Sequence, residues 1–302
     1  MATLVKAHLN KFDHATVPSV DLLADLDFYE KLFGAELPDR KAKGMPPMVN
    51  FSIARRKSGR ASIFFISVGG HTGFGLFLQE EFPPPSLRLL EGPRYGFGVV
   101  GENLDHAASA LADNGIEFLG PIEHDERHPF SESIYFKDPS ENSLEISVWR
   151  NPEDAKRKQA GGPGLIPISG LSHCAFDVTD LEKAEDFYVA GLGIEPLYHG
   201  TAPDGLPCSV LQIGSGQVVT LQQIDQISER SIKKYLSDCH AAFKLPHEEW
   251  EGVEREMGAR SVEMLPDYPA MDGSREPFHN VYVVDPFGNN VQVTGSDGTE
   301  SH

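Results

Sequence analysis

Three residues in the C-terminal half of this chain have the types and placement that metal binding requires. His173 opens one predicted strand, His240 opens a later segment in the same way, and Gln292 lies on the last predicted strand. Two neutral imidazoles and one oxygen donor can form one face of a divalent metal site that keeps positions open for substrate. Gln222, near the end of another predicted strand, could add a fourth donor. The alternative is that each histidine is only a polar residue at a strand start.

The alternation of side chains supports a polar cleft. Successive side chains of a strand point to opposite faces, so residues two apart share a face. On the strand that begins at Leu171, one face carries His173, Ala175 and Asp177, and the other carries Cys174, Phe176 and Val178. Gln292 likewise faces away from Val291 and Val293. The polar faces of these strands could therefore line a common cleft.

The elements that must position these residues are repeated within the chain. His173 lies 159 residues after His14, and the same shift superposes identical residues at Asp21/Asp180, Asp27/Asp186, Phe28/Phe187, Tyr29/Tyr188, Gly34/Gly193 and Glu36/Glu195. Farther along, a shift of 147 residues superposes Tyr135/Tyr282, Asp138/Asp285, Pro139/Pro286 and Asn142/Asn289. At that second shift Glu145 meets Gln292, so a carboxylate in one copy is an amide in the other.

Each copy contains two units with the order βαβββ. In the first unit a β-prone segment (residues 12–17) precedes a helical pattern that runs from Asp21 to the stop at Gly34. Three strand-like runs follow at residues 49–53, 62–68 and 74–79, before a turn at 82–85. The second unit begins at Tyr95, with a helix over 103–114 stopped by Gly115 and strands near 116–118, 133–137 and 144–149. The third and fourth units begin near residues 171 and 238.

The length of 302 residues fits two domains of roughly 150 residues each. We therefore predict an α+β protein in which four βαβββ modules pair into two domains, each with strands curled around a cleft. The predicted domains are an N-terminal two-module domain at residues 9–150 and a C-terminal two-module domain at residues 169–295. Residues 151–168, rich in Lys, Gly and Pro, form the predicted linker.

The N-terminal half offers a weaker version of the same site. His14, Gln79 and Glu145 occupy corresponding positions, and aligning Gly115 with Gly258 puts Phe97 where the second histidine would stand. Because phenylalanine cannot bind a metal, this site lacks one donor. The alternative interpretation is that Glu145 is a solvent-facing residue of an alternating strand. His124 and His128 are predicted to be loop residues.

Composition and charge exclude several classes of binding partner and indicate a cellular compartment. The formal net charge of -19 would repel phosphate backbones and anionic lipid, so we expect neither nucleic acid nor a membrane as a partner. Three cysteines without a Cys-x-x-Cys spacing argue against a disulfide framework or a zinc finger. The N-terminal residues lack a signal-peptide pattern, and no apolar run approaches the ~20 residues that span a bilayer. We predict a cytosolic protein.

The combined motifs resemble those of the vicinal oxygen chelate superfamily. They are His14 with Asp27-Phe28-Tyr29, His173 with Asp186-Phe187-Tyr188, Asp138-Pro139 with Asn142 and Glu145, and the run from Asp285 to Asn289. This superfamily includes glyoxalases, fosfomycin-resistance proteins, bleomycin-binding proteins and ring-cleaving extradiol dioxygenases. The resemblance covers nearly all of residues 9–295 and is more specific for the fold than for the reaction.

The four-module layout is similar to that of type I extradiol dioxygenases. That resemblance implies a metal held by His173, His240 and Gln292, with Fe(II) or Mn(II) favoured, and Tyr282 as the catalytic residue that hydrogen-bonds a substrate oxygen. It also implies a small, catechol-like aromatic substrate, and a homo-oligomer is compatible with it. Those dioxygenases carry glutamate where this chain has Gln292.

Two other functions fit the same superfamily. One is a glyoxalase-type isomerase or lyase that uses Zn(II), Ni(II) or Mn(II) as a Lewis acid, since glutamine is an accepted ligand in glyoxalases. The other is a protein without enzymatic activity that binds a small molecule, such as a drug, in its cleft.

Overall fold

The computed structural model describes residues 9, 11–36, 62–68, 72–79, 88–151, 164–214, 216–228, 239–246, 264–265 and 280–296. Several predicted features lie outside these residues: the strand at 49–53, the turn at 82–85, most of the linker and Gly258. We refer to the strands around His14 as module 1, and to those around Glu145, His173 and Gln292 as modules 2, 3 and 4.

Module 1 contributes β1 (Lys11–Ser19), β2 (Ser62–Val68) and β3 (Thr72–Leu78). Module 2 contributes β4 (Arg94–Val99), β5 (Phe118–Glu123), β6 (Phe130–Lys137) and β7 (Ser143–Trp149). Module 3 contributes β8 (Leu171–Val178), β9 (Glu195–Thr201), β10 (Pro207–Ile213) and β11 (Gln217–Gln223). Module 4 contributes β12 (Ala241–Pro246), β13 (Met264–Leu265), β14 (Asn280–Val284) and β15 (Asn290–Ser296). The helices are α1 (Leu22–Phe33), α2 (Leu104–Asp113, after a short 3-10 turn at Gly101–Asn103) and α3 (Leu181–Glu185), which widens into a π-helical turn at Asp186–Gly191.

Helix α1 begins and ends where the sequence predicts. The Asp21 side chain accepts hydrogen bonds from the backbone N–H groups of Leu23 and Ala24, which satisfies two free donors at the helix start. Gly34 follows with φ 62°, the left-handed conformation that glycine adopts without a steric penalty. Asp180 caps α3 in the same way through the N–H of Lys183.

The strands form two mixed sheets, and the modules pair differently from the prediction. The first sheet has the order β13-β14-β15-β12-β1-β3-β2 and so joins module 4 to module 1. The second sheet has the order β5-β6-β7-β4-β8-β11-β10-β9 and joins module 2 to module 3. The predicted domain bounds, 9–150 and 169–295, therefore do not coincide with the two sheets. Neighbouring repeats in sequence need not be neighbours in a sheet, because open strand edges of equivalent modules are chemically alike.

The two sheets are built by the same rule. Within each module the first strand runs parallel to the last, and at the centre of each sheet two first strands meet antiparallel: β1 with β12, and β4 with β8. At the first seam His14 lies opposite Ala242, and at the second seam His173 lies opposite Gly96. The seams therefore superpose residue by residue.

One apolar core connects both sheets. Phe12 and Phe74 of the first sheet and Tyr95 and Phe97 of the second are all buried, and their rings contact one another across the interface. Gln217 adds a polar link, because its amide group bonds the backbone of Phe12 and the carbonyl of Leu171.

The repeated Asp-Phe-Tyr and Asp-Pro motifs are structural. The Tyr29 hydroxyl donates to Asp138 at 2.9 Å, and the Tyr188 hydroxyl donates to Asp285 at 3.0 Å. Each bond joins a helix of one module to the turn before the last strand of the next module in sequence. These residues thus fasten the two sheets together rather than lining the concave faces.

Candidate metal centre

The concave face of the first sheet brings two histidines from opposite ends of the chain together. His14, on β1, and His240, just before β12, have their Nε2 atoms 3.1 Å apart and their rings nearly perpendicular. His240 is buried, and His14 is about four-fifths buried, with 18% of its side chain exposed. The module that supplies the partner of His240 is therefore module 1 and not module 3.

Each imidazole is held by a second residue through its other nitrogen. His14 Nδ1 lies 2.9 Å from Asp13 Oδ2, and Lys244 Nζ lies 3.0 Å from Asp13 Oδ1. Burial would raise the pKa of Asp13, but its bonds and charge interactions with His14 and Lys244 lower it to about 2. An ionised carboxylate only accepts hydrogen bonds, so His14 Nδ1 carries the proton in this contact, and its Nε2 atom is directed at His240.

Thr16 orients the second ring. Its Oγ1 accepts from the backbone N–H of His240 at 2.7 Å and lies 3.2 Å from His240 Nδ1. The Thr16 N–H in turn donates to the carbonyl of His240 at 2.9 Å. The Nε2 atom of His240 is consequently directed towards that of His14.

Gln292 and Tyr282 stand on the same face. Gln292 on β15 pairs with Ala242 of β12 on one side and with Tyr282 of β14 on the other. The Tyr282 ring lies 5.2 Å from the His240 ring. Gln292 is buried, and its Oε1 atom has no hydrogen-bond partner among the described residues.

These donors fit a divalent metal ion. Two nitrogen ligands at about 2.1 Å from one ion and at right angles are about 3.0 Å apart, close to the separation of the two Nε2 atoms. An orphaned buried amide oxygen costs free energy unless something binds it. Among the described residues, no group of three or more His, Cys, Asp or Glu side chains is placed to hold a metal. The set here reaches three donors only by including the amide of Gln292.

The corresponding face of the second sheet carries an ionic cluster instead. Arg94 Nε donates to Glu145 Oε2 at 2.8 Å, and His173 Nε2 lies 3.0 Å from the same oxygen. All three side chains are at most 4% exposed. The other carboxylate oxygen of Glu145 accepts from Ser147 at 2.9 Å.

The oppositely charged groups of this cluster keep one another ionised. Burial would raise the pKa of Glu145, but the adjacent His173 and Arg94 hold it well below its ordinary value. Burial likewise opposes the charge of Arg94, while Glu145 raises the pKa of the guanidinium. Glu145 is thus a buried carboxylate in an ion pair, and the prediction that it faces solvent is wrong.

Register shows which residues of the two sheets correspond. His14 and His173 are equivalent, as the 159-residue shift predicts, and Gln292 is equivalent to Glu145. Ala242 corresponds to Gly96, so the counterpart of His240, two residues earlier, is Arg94. The predicted counterpart, Phe97, points to the other face and packs in the core against Phe33 and Phe74.

The predicted ligand set is therefore split between two sheets. His240, Gln292 and Tyr282 are brought together in the first sheet, whereas His173 lies in the second sheet beside Glu145. Gln222 is also in the second sheet, where its Nε2 donates to Asp204. Gln79 follows the end of β3 beside Ser19, and Gly75 occupies the position on β3 that corresponds to Gln292.

His124 and His128 lie in the loop between β5 and β6, as predicted. Their rings stack at 4.3 Å, and His124 Nε2 lies 2.8 Å from the Ser133 hydroxyl. Ser133 contacts Ser147, which donates to Glu145, so a line of hydroxyl groups connects this loop to the ionic cluster. Burial, with a smaller contribution from His124, lowers the pKa of His128 to about 3.

Sequence reasoning missed two residues. It placed His14 in a separate, weaker site, and it did not consider Arg94. The signal for His14 was present in its equivalence to His173. The signal for Arg94 was the shift of 147 residues that aligns Glu145 with Gln292. The same shift, applied to His240, ends within one residue of Arg94.

Part of this chain is similar in sequence to a known protein family. Residues 11–146 match the family model of the glyoxalase/bleomycin resistance protein/dioxygenase superfamily. The sequence is 25% identical over 143 residues to virulence protein STM3117 of Salmonella typhimurium, which covers 47% of this chain and 85% of that protein.

Solved structures share the fold over almost the whole chain. A candidate dioxygenase from Bacillus subtilis superposes with a TM-score of 0.67 at 13% identity, covering 97% of this chain and 87% of the other. Glyoxalase I from Zea mays superposes with a TM-score of 0.57 at 15% identity, covering 94% and 92%. Residues 11–146 are thus similar to the glyoxalase/bleomycin resistance protein/dioxygenase superfamily, and the fold of almost the whole chain is shared with these solved structures. No helix in the described part of the chain is long and apolar enough to cross a membrane.

Proposed function

We propose that this protein is a metal-dependent enzyme whose divalent ion is held by His14, His240 and Gln292 on the first sheet. The observation that carries the proposal is the pair of Nε2 atoms 3.1 Å apart, together with the orphaned Oε1 of Gln292, a residue that the strand register places on the same face. Two imidazole nitrogens at that distance either share a hydrogen bond, with the proton on one ring, or can bind one metal ion in place of that proton. The metalloenzymes of the superfamily, such as glyoxalases, give a precedent for the metal.

The donor set favours Lewis-acid chemistry. Two imidazoles and an amide are all neutral, so they leave the charge of a bound ion undiminished. A divalent metal would then polarise two adjacent oxygen atoms of a small substrate, which promotes isomerisation, addition or elimination. A glyoxalase-type isomerase or lyase is therefore the function that this site supports best, with Zn(II), Ni(II) or Mn(II) as the ion.

The remaining residues have roles that follow from their contacts. Asp13 and Thr16 fix the orientation of the two rings, which limits rearrangement when substrate binds. Tyr282, next to Gln292 in the sheet, is proposed to hydrogen-bond a substrate oxygen. The carboxylate of Asp13 would stabilise positive charge on the His14 ring when an ion is bound.

An extradiol dioxygenase acting on a catechol-like aromatic is the second candidate, and it has less support here. That function was inferred from a ligand set in modules 3 and 4 with His173 as a member, but His240 faces His14 of module 1. An iron site of that type also uses a carboxylate, which Gln292 does not supply. Oxygen uptake remains the observation that would favour it.

The first experiment is elemental analysis of protein purified without added chelator, with three variants run beside the wild type. We expect about one divalent ion per chain in the wild type, its loss in His14→Ala and in His240→Ala, and its retention in His173→Ala. His173→Ala is the matched control because it removes an equivalent histidine from the other sheet. Retention in His14→Ala with loss in His173→Ala would contradict the proposal.

The second experiment separates the two reaction classes. Protein loaded with Fe(II) under anaerobic conditions is mixed with catechols in air-saturated buffer, and oxygen consumption is followed with an electrode. Protein loaded with Zn(II), Ni(II) or Mn(II) is tested with hemithioacetals and epoxides by absorbance and mass spectrometry. Turnover only in the second set supports the Lewis-acid assignment, and oxygen uptake that His14→Ala abolishes supports the dioxygenase.

A further inference from the structure

The concave face of the second sheet has the same backbone frame as the metal centre but a different donor set. The frame places Arg94 where the first sheet has His240, Glu145 where it has Gln292, and His173 where it has His14. Tyr135, opposite Glu145 on β6, matches Tyr282, opposite Gln292 on β14. The two faces thus differ at the positions where a metal would bind.

Arg94 fills the space between the would-be ligands. Its Nε bonds Glu145 Oε2, its Nη1 bonds the carbonyl of Leu90 at 2.5 Å, and its guanidinium lies 5.2 Å from the Tyr135 ring centre. Glu145 Oε2 is shared with His173 Nε2, and Glu145 Oε1 with Ser147. The acceptor that would bind a metal is therefore already used by groups inside the protein.

Gly96 shows that the backbone is adapted to this arrangement. It pairs with His173 across the seam, and a Cβ atom at Gly96 would overlap the His173 ring. The first sheet has Ala242 at the same position opposite His14. The missing side chain lets His173 lie against the strand and reach Glu145.

The residue behind the histidine also differs. Asp13 carries a carboxylate against Nδ1 of His14, whereas its counterpart Ser172 places a hydroxyl 3.0 Å from Nδ1 of His173. A carboxylate in this place strengthens an imidazole as a metal ligand, and a hydroxyl does so less. Each of these differences disfavours a metal in the second sheet.

The residues of the second face do not match the donor set of the first. We infer that the Arg94 guanidinium occupies the place that a metal ion would take at the second site. Arg94 is then the residue that limits this protein to one metal ion per chain. The fixed positive charge repels a divalent ion and at the same time neutralises Glu145. The second concave face is therefore a metal-free site closed by its own ion pair.

Stoichiometry with a probe ion tests this inference. Co(II) is chosen because its binding is measured by equilibrium dialysis and its visible absorption reports the ligand geometry. We expect one Co(II) per chain for the wild type and two for Arg94→His, with the second ion lost when His173→Ala is added. The double variant His14→Ala/Arg94→His should bind one ion, held by the second sheet alone.

A second variant covers the case in which Arg94→His leaves Glu145 unpaired and the protein fails to fold. Arg94→His combined with Glu145→Gln reproduces in the second sheet the two imidazoles and one amide of the first, and it removes both members of the Arg94–Glu145 ion pair together. Circular dichroism checks the fold before dialysis. One ion per chain in folded protein of both variants would overturn the inference.

The wild-type protein supplies an independent check. A second Co(II) in the wild type that His173→Ala removes would overturn the inference without any change at Arg94. The result is also separable from the proposed function: no ion in the wild type but one in Arg94→His contradicts the metal centre of the first sheet and supports the role of Arg94.

Discussion

The two concave faces of this protein solve one electrostatic problem in two ways. On the first sheet, His14 and His240 direct two ring nitrogens at one point, and the amide oxygen of Gln292 has no partner in the described chain. On the second sheet, Arg94 and His173 share the carboxylate of Glu145, and every one of these groups is bonded within the protein. The first face has donor atoms but no cationic side chain of its own among these residues, whereas the second face contains the Arg94 guanidinium.

This difference shows that two repeats with the same backbone register can have different site chemistry. Both seams have the same register, and both bring a histidine from one module against the first strand of another. Replacing one histidine by arginine, and one amide by carboxylate, changes a candidate metal centre into a buried ion pair. Function therefore depends on a few substituted positions on a shared backbone.

The largest expected difference between the faces concerns stability. Glu145→Ala should lower the free energy of unfolding by about 3–5 kcal/mol, because it leaves the buried Arg94 charge without a partner. Gln292→Ala, the matched change in the first sheet, should cost about 1 kcal/mol, the ordinary value for a point substitution. Urea unfolding of the metal-free proteins measures both. Equal losses would show that the Arg94 cluster is no more important to stability than its counterpart.

The residues behind the histidines give the next effect. Asp13→Asn should weaken metal binding about 10–100-fold, since the carboxylate that orients His14 is replaced by a neutral amide. Ser172→Ala changes the equivalent residue behind His173 and should leave metal affinity unchanged. Competition with a chromogenic chelator measures both affinities. A similar loss in Ser172→Ala would mean that the second face takes part in metal binding.

Gln292→Glu gives the first face the carboxylate that Glu145 supplies in the second face. Opposite unit charges 4 Å apart interact by about 4 kcal/mol at an effective dielectric constant of about 20, so part of that energy should appear as about tenfold or tighter metal binding. Glu145→Gln makes the reverse exchange and should not create a metal site while Arg94 is present. Isothermal titration with Mn(II) tests both variants. Unchanged affinity in Gln292→Glu would remove Gln292 from the ligand set.

The last expected difference concerns the two tyrosine–aspartate contacts. Burial and the nearby Asp25 raise the pKa of Asp138 to about 7, and burial raises the pKa of Asp285. Asp25 has Ala184 as its counterpart in module 3, so only the Asp138 contact has a second carboxyl group beside it.

A carboxyl group whose pKa is raised by folding stabilises the protein below its unfolded pKa, and that stability is lost as the pH rises through the folded value. Between about pH 4 and 7 the wild type should therefore lose on the order of 1–3 kcal/mol through Asp138. Asp138→Asn should flatten this decline, while Asp285→Asn should change it less. Chemical denaturation at a series of pH values gives the comparison, and identical profiles for the two variants would contradict it.

Much of the local structure could be predicted from the sequence. The capping residue Asp21 and the stop at Gly34 define helix α1 because both act within a few residues of the backbone groups that they satisfy. The alternation that separates His173 from Cys174 likewise depends only on the strand period. The equivalence of His14 and His173 follows from the repeat.

The candidate site could be predicted only in part. His240, Gln292 and Tyr282 lie on one face, because a hairpin and a parallel neighbour within one module bring them together. His173 was assigned to that face wrongly, because the module that completes a sheet is chosen by packing between distant segments. Arg94 was missed because an alignment based on helix-stopping glycines shifts the strand by three residues.

The sequence by itself determined four modules, their strand faces and the residue types available for chemistry, since these depend on local periodicity and on repetition. The tertiary structure alone decided that module 1 joins module 4 and that module 2 joins module 3. That choice sets which histidine meets which partner, because contacts between residues more than 200 positions apart are fixed by the docking of whole sheets around a common core. It separates the candidate metal centre from the buried ion pair.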